Sequence, residues 1–551
     1  MWLSYESVKL ILKVQKNPIN EIFYENRGRA QKVVTENGTV VQSDVNRVQV
    51  YNASYSWNEK RFNLRGFYRT GHYHWGYEGD FFALYPEANY GPNLDLYNGE
   101  ISGFEIDGKK EISGLKAAFG PQLWWGANPA FLLKYTKKIG KFDATAVYHE
   151  DIDKAAAALT SIAIPMPKTR RATIHFKSSF GKLNLDFGGI WGGQPLNGRV
   201  FQYAVENNNS YTVFDDKVKS SDNWGGKAKI TYSGGKFNFY AQGAVMGLVA
   251  NGGADNTQTF TGWRLKDSGS GNQTNILTGF TYSIGKLQIA PNFLWQKPLV
   301  AAMPNDVNAP GRLRNILADP FVVRANRETV GAELLLTYDP TPATWMYEWD
   351  NDRTEDAKFA FSSGFVFRHL PTTQDAAIGF LSNRTSFAFA KSAPAHDLWE
   401  SNTRIVSKLS SDFGMIATFY FGNAQANGSD TRLIQRMGGD LRFIYNKLKL
   451  ISSVKINDWG PYDYHRDFNL TYPLQMSFDL STTLGKPDWF ILPNTKMGIM
   501  GIWRSLNQYS PRYLPNQTAT IYDTEPIISP VGFNNGIEWE IRTYIHINIG
   551  K

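Results

Sequence analysis

The amino-acid sequence predicts an all-β fold, an antiparallel up-and-down transmembrane β-barrel of roughly 18–22 strands. Short turns are expected at one end of it and long loops at the other. Three observations carry this: apolar and polar residues alternate along segment after segment, a Gly-Lys turn recurs between segments, and aromatic rings gather at the ends of the apolar faces.

Composition sets the frame. Of 551 residues, 14% are aromatic and 49 are Gly, yet mean hydropathy is −0.37. Rings, glycines and polar residues together suit strands and turns, and a large barrel can occupy this length as one domain. The absence of cysteine excludes disulfides, thiolate metal sites and cysteine nucleophiles. A net charge of +8 comes from 58 basic and 50 acidic residues scattered singly. Nucleic-acid binding wants clustered bases; scattered ones suit a polar wall and rim contacts to anionic headgroups.

No apolar run reaches the ~18 residues that a membrane helix needs. The best, residues 155–166, is closed by Pro165 and Pro167. At the N-terminus, Lys9 and Lys13 interrupt the apolar residues and no basic lead region precedes them. Any export signal is therefore expected to have been removed, with Met1 opening a mature or recombinant form. Residues 1–45 are expected as an extension, a periplasmic segment or plug, and 46–551 as the barrel.

The turn motif stands at Gly140-Lys141, Gly181-Lys182, Gly235-Lys236, Gly285-Lys286 and Gly485-Lys486. The first four lie roughly 40–55 positions apart, room for two strands, a tight turn and a long loop. Around them the period is two. Ala172, Ile174 and Phe176 oppose Arg171, Thr173, His175 and Lys177; beyond the turn Leu183, Leu185, Phe187 and Trp191 oppose Asn184 and Asp186. Ala228, Ile230 and Tyr232 then oppose Lys227 and Lys229, and Phe237, Phe239 and Ala241 oppose Asn238, Tyr240 and Gln242. Val330 to Tyr338 alternates likewise before a turn at Pro340 and Pro342. Ile537, Trp539, Ile541 and Ile545 alternate with Glu538, Glu540, Arg542 and His546.

A soluble sandwich would alternate too, but ring placement argues for a membrane. Tyr135, Tyr232, Tyr282, Tyr338 and Tyr445 fall on the apolar face just before a turn, while Trp191 and Trp295 lie toward the far end of the following strand. At ~3.3 Å per residue and a tilt near ~40°, about eight residues rise roughly 20 Å, close to the apolar band of a membrane barrel. The long connections are expected at residues 71–110, 192–223, 248–273 and 297–328. By their length they are extracellular, and the Gly-Lys turns periplasmic.

The hairpins Tyr-Thr-Lys-Lys-Ile-Gly-Lys-Phe-Asp-Ala and Tyr-Ser-Ile-Gly-Lys-Leu-Gln-Ile, with the dyad repeat over most of 46–549, resemble bacterial outer-membrane porins and transporters in general. The resemblance implies a cell-envelope location, contact with outer-membrane lipid and lipopolysaccharide, and passage of a solute. It departs at the end of the chain, Ile549-Gly550-Lys551, where such barrels usually place an aromatic residue.

Candidate luminal charges are Arg65, Arg69, Lys134, Lys177, Lys227, Lys229, Glu333, Arg442, Glu538, Glu540 and Arg542, with Asp143 and Asp186. Their basic excess would favour anions in an open pore; in a filled interior they would pair. Candidate ligand-stacking rings are Tyr73, Trp75, Tyr77, Trp124 and Trp125 in long loops. Glu538 and Glu540 share a face as an acid–base pair would, but Arg542 and His546 follow and a charge ladder is the simpler account. His72 and His74 offer two imidazoles, short of a metal site. Asp350, Asp352, Glu355 and Asp356 lack the glycine and spacing of a calcium loop. Neither a phosphate loop nor a Gly-x-Ser-x-Gly elbow occurs.

The expectation is thus a non-enzymatic channel for small polar solutes, anionic ones or saccharides among them, with no cofactor, no metal and no nucleic acid. Two other functions compete with it. One is a structural or assembly subunit that docks an envelope protein through its long loops, and the other is a surface carbohydrate-active β protein.

Overall fold

The computed structural model describes residues 5–15, 31–35, 38–42, 47–68, 72–73, 80–82, 89–90, 103–120, 130–152, 170–193, 197–198, 200–207, 210–250, 265, 267, 271–300, 328–340, 358–371, 396–410, 412–425, 432–458, 471–484, 495–510 and 536–547. Among them no helix is long and apolar enough to cross a membrane.

The first strand lies where an extension was expected. β1 (Tyr5–Gln15) pairs antiparallel with a later strand, Arg47–Asn58, and so belongs to the wall. Val8, Leu10, Leu12 and Val14 alternating with Lys9 and Lys13 is strand periodicity, masked in the sequence by its isolation from the later repeats. Between the two strands, β2 (Gln31–Thr35) and β3 (Gly38–Gln42) form a separate hairpin.

From β4 (Arg47–Asn58) the chain goes on to β5 (Phe62–Tyr68), and a long connection carries the short pair β6 (His72–Tyr73) and β7 (Asn89–Tyr90). The loop expected over 71–110 ends early, because β8 (Gly103–Gly108) pairs with β5 and with β9 (Leu115–Gly120). Next come β10 (Ala130–Ile139), β11 (Phe142–Asp151), β12 (Arg170–Phe180) and β13 (Leu183–Trp191). The connection expected at 192–223 holds a hairpin of its own, β14 (Val200–Asn207) and β15 (Ser210–Lys217), packed through Phe201 against Val218 and Leu248.

The wall resumes with β16 (Trp224–Ser233), β17 (Phe237–Met246), β18 (Gln273–Ile284), β19 (Leu287–Pro298), β20 (Thr329–Tyr338) and β21 (Ala360–His369). It continues through β22 (Leu398–Ser410), β23 (Phe413–Gln425), β24 (Leu433–Tyr445) and β25 (Leu448–Asp458). It finishes with β26 (Tyr472–Leu484), β27 (Thr495–Leu506) and β28 (Gly536–His546). Among the described residues the main sheet has 22 strands, and each pairs antiparallel with its neighbour in the series from β1 and β4 to β28. An even antiparallel series sets its first and last strands in opposite senses, as closure of an up-and-down barrel requires.

In the tight turns at Gly140, Gly181, Gly235 and Gly285, φ lies between +61° and +83°, a left-handed conformation that only a residue without Cβ takes at no cost. Asn446 takes the same conformation at +57° before Lys447, a turn of the same kind spelled with Asn. Of the turn expected at Pro340 and Pro342, Pro342 lies outside the described residues, which resume before β21 at Ala360; Gly485-Lys486, between Leu484 and Thr495, lies outside them too.

Candidate functional site

The partition across the wall is the reverse of a soluble protein's. Tyr135, Ile174, Phe187, Trp224, Ile276, Phe280, Tyr282, Phe293, Leu334, Phe365, Phe419, Tyr445 and Trp539 are exposed on the outer face. Lys134, His149, Arg171, His175, Lys227, Gln242, Asn275, Asn292, Glu333, Arg368, Glu400, Arg436, Arg442, Gln475 and Arg504 are buried on the inner one. Water would make this arrangement costly; hydrocarbon outside and a polar lumen inside make it stable. Strands rather than helices as the crossing elements, in a polar-lined up-and-down barrel, place the chain in a bacterial outer membrane.

Tyr135, Tyr282 and Tyr445 face outward beside the tight turns, as do Tyr232, 6.3 Å from Phe237, and Tyr338, 6.0 Å from Phe361. At the other end Trp191 lies 6.3 Å from Trp224, and Trp295 pairs across the ladder with Ile276. Trp399, 5.4 Å from Phe421, and Trp503, opposite Trp539, continue that level. These last residues escape sequence reading because their strands are separated by long, irregular connections.

On the inner face the candidate charges fall into a transverse row. Lys138 is paired with Asp143, Asp143 with Lys177, Lys177 with Asp186, Asp186 with Lys229, and Lys229 with Gln242. Directly opposed residues of antiparallel strands share a face about 5 Å apart, so opposite charges at successive positions stabilise one another. Asp186 also accepts from His175 Nε2 at 2.9 Å, and Lys229 Nζ sits 5.5 Å from the Tyr240 ring. Arg65 lies on the inner face opposite Glu105. Arg69 lies outside the described residues.

Among the described residues, two connections reach into the lumen. Phe81 and Phe82, from the β5–β8 connection, lie against the inner wall: Phe81 stacks on His175 at 4.4 Å, with Lys227 Nζ 4.6 Å from its centroid. Phe82, 1% exposed, packs with Ala118, Leu132, Val147 and Ile190. Gly188 makes room, since a Cβ there would stand 3.2 Å from the Phe81 ring.

The β17–β18 connection does the same with Leu265, 1% exposed against Tyr240, Leu277, Leu294 and Val366. Polar groups latch it. The Leu265 N–H donates to Glu333 at 3.1 Å, Asn292 Nδ2 donates to the Leu265 carbonyl at 3.3 Å, and Gln242 Nε2 donates to Asp267 at 3.1 Å. Lys227 and Glu333, read from sequence as luminal charges, therefore hold loops.

Across β21–β28 the inner face carries buried ion pairs beside a small apolar cluster of Ala360, Val406 and Ile416. Arg368 meets Glu400 at 3.0 Å, and Arg436 meets Asp458 at 3.5 Å while Tyr420 donates its hydroxyl to the same carboxylate. Arg504 lies 3.5 Å from Glu538, and Glu540 accepts from Arg542 Nε. Glu538 and Glu540 thus each sit beside a guanidinium, a charge ladder rather than an acid–base pair. Sequence reading missed Arg368, Arg436, Arg504, Glu400 and Asp458. Their alternation was legible, but which polar residues would meet depends on register.

Of the candidate rings, Tyr73 belongs to the β6–β7 pair, opposite Asn89; Trp75, Tyr77, Trp124 and Trp125 lie outside the described residues, as do His74 and the acids Asp350, Asp352, Glu355 and Asp356. Among the described residues no three His, Asp or Glu gather as a metal site.

No family model and no curated protein matches the chain. Solved structures that are similar include a BenF-like porin from Pseudomonas fluorescens, at 8% identity over 90% of this chain and 99% of that one, with a TM-score of 0.28. OpdQ from Pseudomonas aeruginosa has 11% identity over 81% and 93%, with a TM-score of 0.28. At such scores the strand paths diverge too far to bear on the lumen, and the barrel rests on its own ladder and wall chemistry.

Proposed function

We propose that this protein is an outer-membrane channel that moves small polar solutes, favouring anions, without converting them. The reversed wall supports this reading: buried charges and amides inside require a polar lumen, and exposed rings outside require lipid. A barrel of 22 strands encloses more space than its own wall side chains can fill. The Phe81–Phe82 and Leu265 insertions narrow that space from one side.

The transverse row carries three lysines, Lys138, Lys177 and Lys229, against two aspartates, Asp143 and Asp186. A basic excess of this kind raises the local concentration of anions. In planar bilayers under a KCl gradient, the full chain should give stepwise conductance with a reversal potential toward chloride. Lys177→Glu together with Lys229→Glu should move that potential toward potassium. A folded, inserted barrel that passes no current would refute the proposal.

A further inference from the structure

A second row crosses the other side of the inner wall: Asn402 pairs with Tyr420, Tyr420 with Gly438, Gly438 with Lys455, Lys455 with Gln475, Gln475 with Arg504, and Arg504 with Glu538. At its centre Gln475 is 0% exposed, yet among the described residues neither its amide oxygen nor its nitrogen has a hydrogen-bond partner. Its neighbour Arg504 is buried as well. The Arg504 Nη1 donates to the Tyr472 hydroxyl at 3.2 Å and reaches Glu538 at 3.5 Å, but its Nε–H has no partner among the described residues. Buried amides and guanidinium N–H groups are nearly always satisfied, because leaving one unmade forfeits its hydration for nothing. Two adjacent ones, on directly paired residues, mark a place built for something else to complete.

We infer that Gln475 and Arg504 form a binding site for a small hydroxy-carboxylate, flanked by Lys455, on the inner wall of β25–β27. The chemistry is complementary. A carboxylate accepts at once from Arg504 Nε–H and the Gln475 amide nitrogen, a charge-assisted pair, and a neighbouring hydroxyl donates to the Gln475 oxygen. The nearby acids are engaged with partners of their own: Asp458 with Arg436 and Tyr420, Asp440 with Thr418, and Glu538 with Arg504 itself. A neutral sugar would want an open aromatic face, and the Tyr472 ring is covered by the Arg504 guanidinium at 4.7 Å. The position of this site in a solute path rests on the channel reading; its affinity does not.

The test is therefore direct binding first. Titration of gluconate into the detergent-solubilised full chain should show saturable binding that glucose does not reproduce. Gln475→Leu and Arg504→Lys should each weaken it about tenfold, the loss of one charged hydrogen bond. Ser453→Ala, on the inner face outside the site, should leave it unchanged. Heat-modifiable migration on gels verifies that each variant is folded; because Arg504→Lys keeps the charge, it also tests the site if Gln475→Leu fails to fold. In bilayers, gluconate should block chloride current in the parent and about tenfold less in the variants. Equal gluconate binding in parent and variants, or equal binding of glucose, would overturn the inference. Binding without any conductance would overturn the channel reading and leave the site standing.

Discussion

Along β12–β20 the inner wall is covered by the protein's own loops, whereas along β22–β28 the described inner face carries charge against charge. Both halves are made of the same alternating strands. On the first, small or apolar inward residues such as Gly188, Ile190, Leu277 and Leu294 accept Phe81, Phe82 and Leu265. On the second, Arg436 and Arg504, with Arg368 on the adjoining β21, occupy the equivalent inward positions, and each faces an acid. A β-strand specifies only that every second residue points inward; what meets it there decides whether that side becomes packing or passage.

Perturbing each half separates the two roles. The largest effect is expected from Arg436→Met, which strands the buried Asp458 without its cation at a cost of about 3–5 kcal/mol. Urea unfolding followed by tryptophan fluorescence measures it, and the double variant Arg436→Met with Asp458→Leu should recover most of the loss. Phe82→Ala comes next, removing about 3 kcal/mol of loop anchoring. It should raise single-channel conductance without changing selectivity, and an unchanged conductance would deny the loop its narrowing role. Glu333→Ala leaves the Leu265 N–H unmade, about 2 kcal/mol, and should appear as faster amide exchange at residue 265. Trp295→Ala on the outer face should cost the least, about 1 kcal/mol, and leave conductance untouched.

The sequence by itself determined the barrel. Period-two alternation, Gly-Lys turns and rings at both membrane levels are local properties, readable without knowing any partner strand. It determined too which residues face inward, since Lys177, Lys229 and Arg442 lie there by parity alone. It did not single out β1 as a strand, because one strand set apart from the later repeats has no neighbouring repeat to identify it. Only the tertiary structure decided that Phe81, Phe82 and Leu265 enter the lumen, that Lys227 and Glu333 hold them there, and that Gln475 meets Arg504. Those contacts join residues far apart in the chain, and a shift of register by two would keep every side chain on its face while changing every partner.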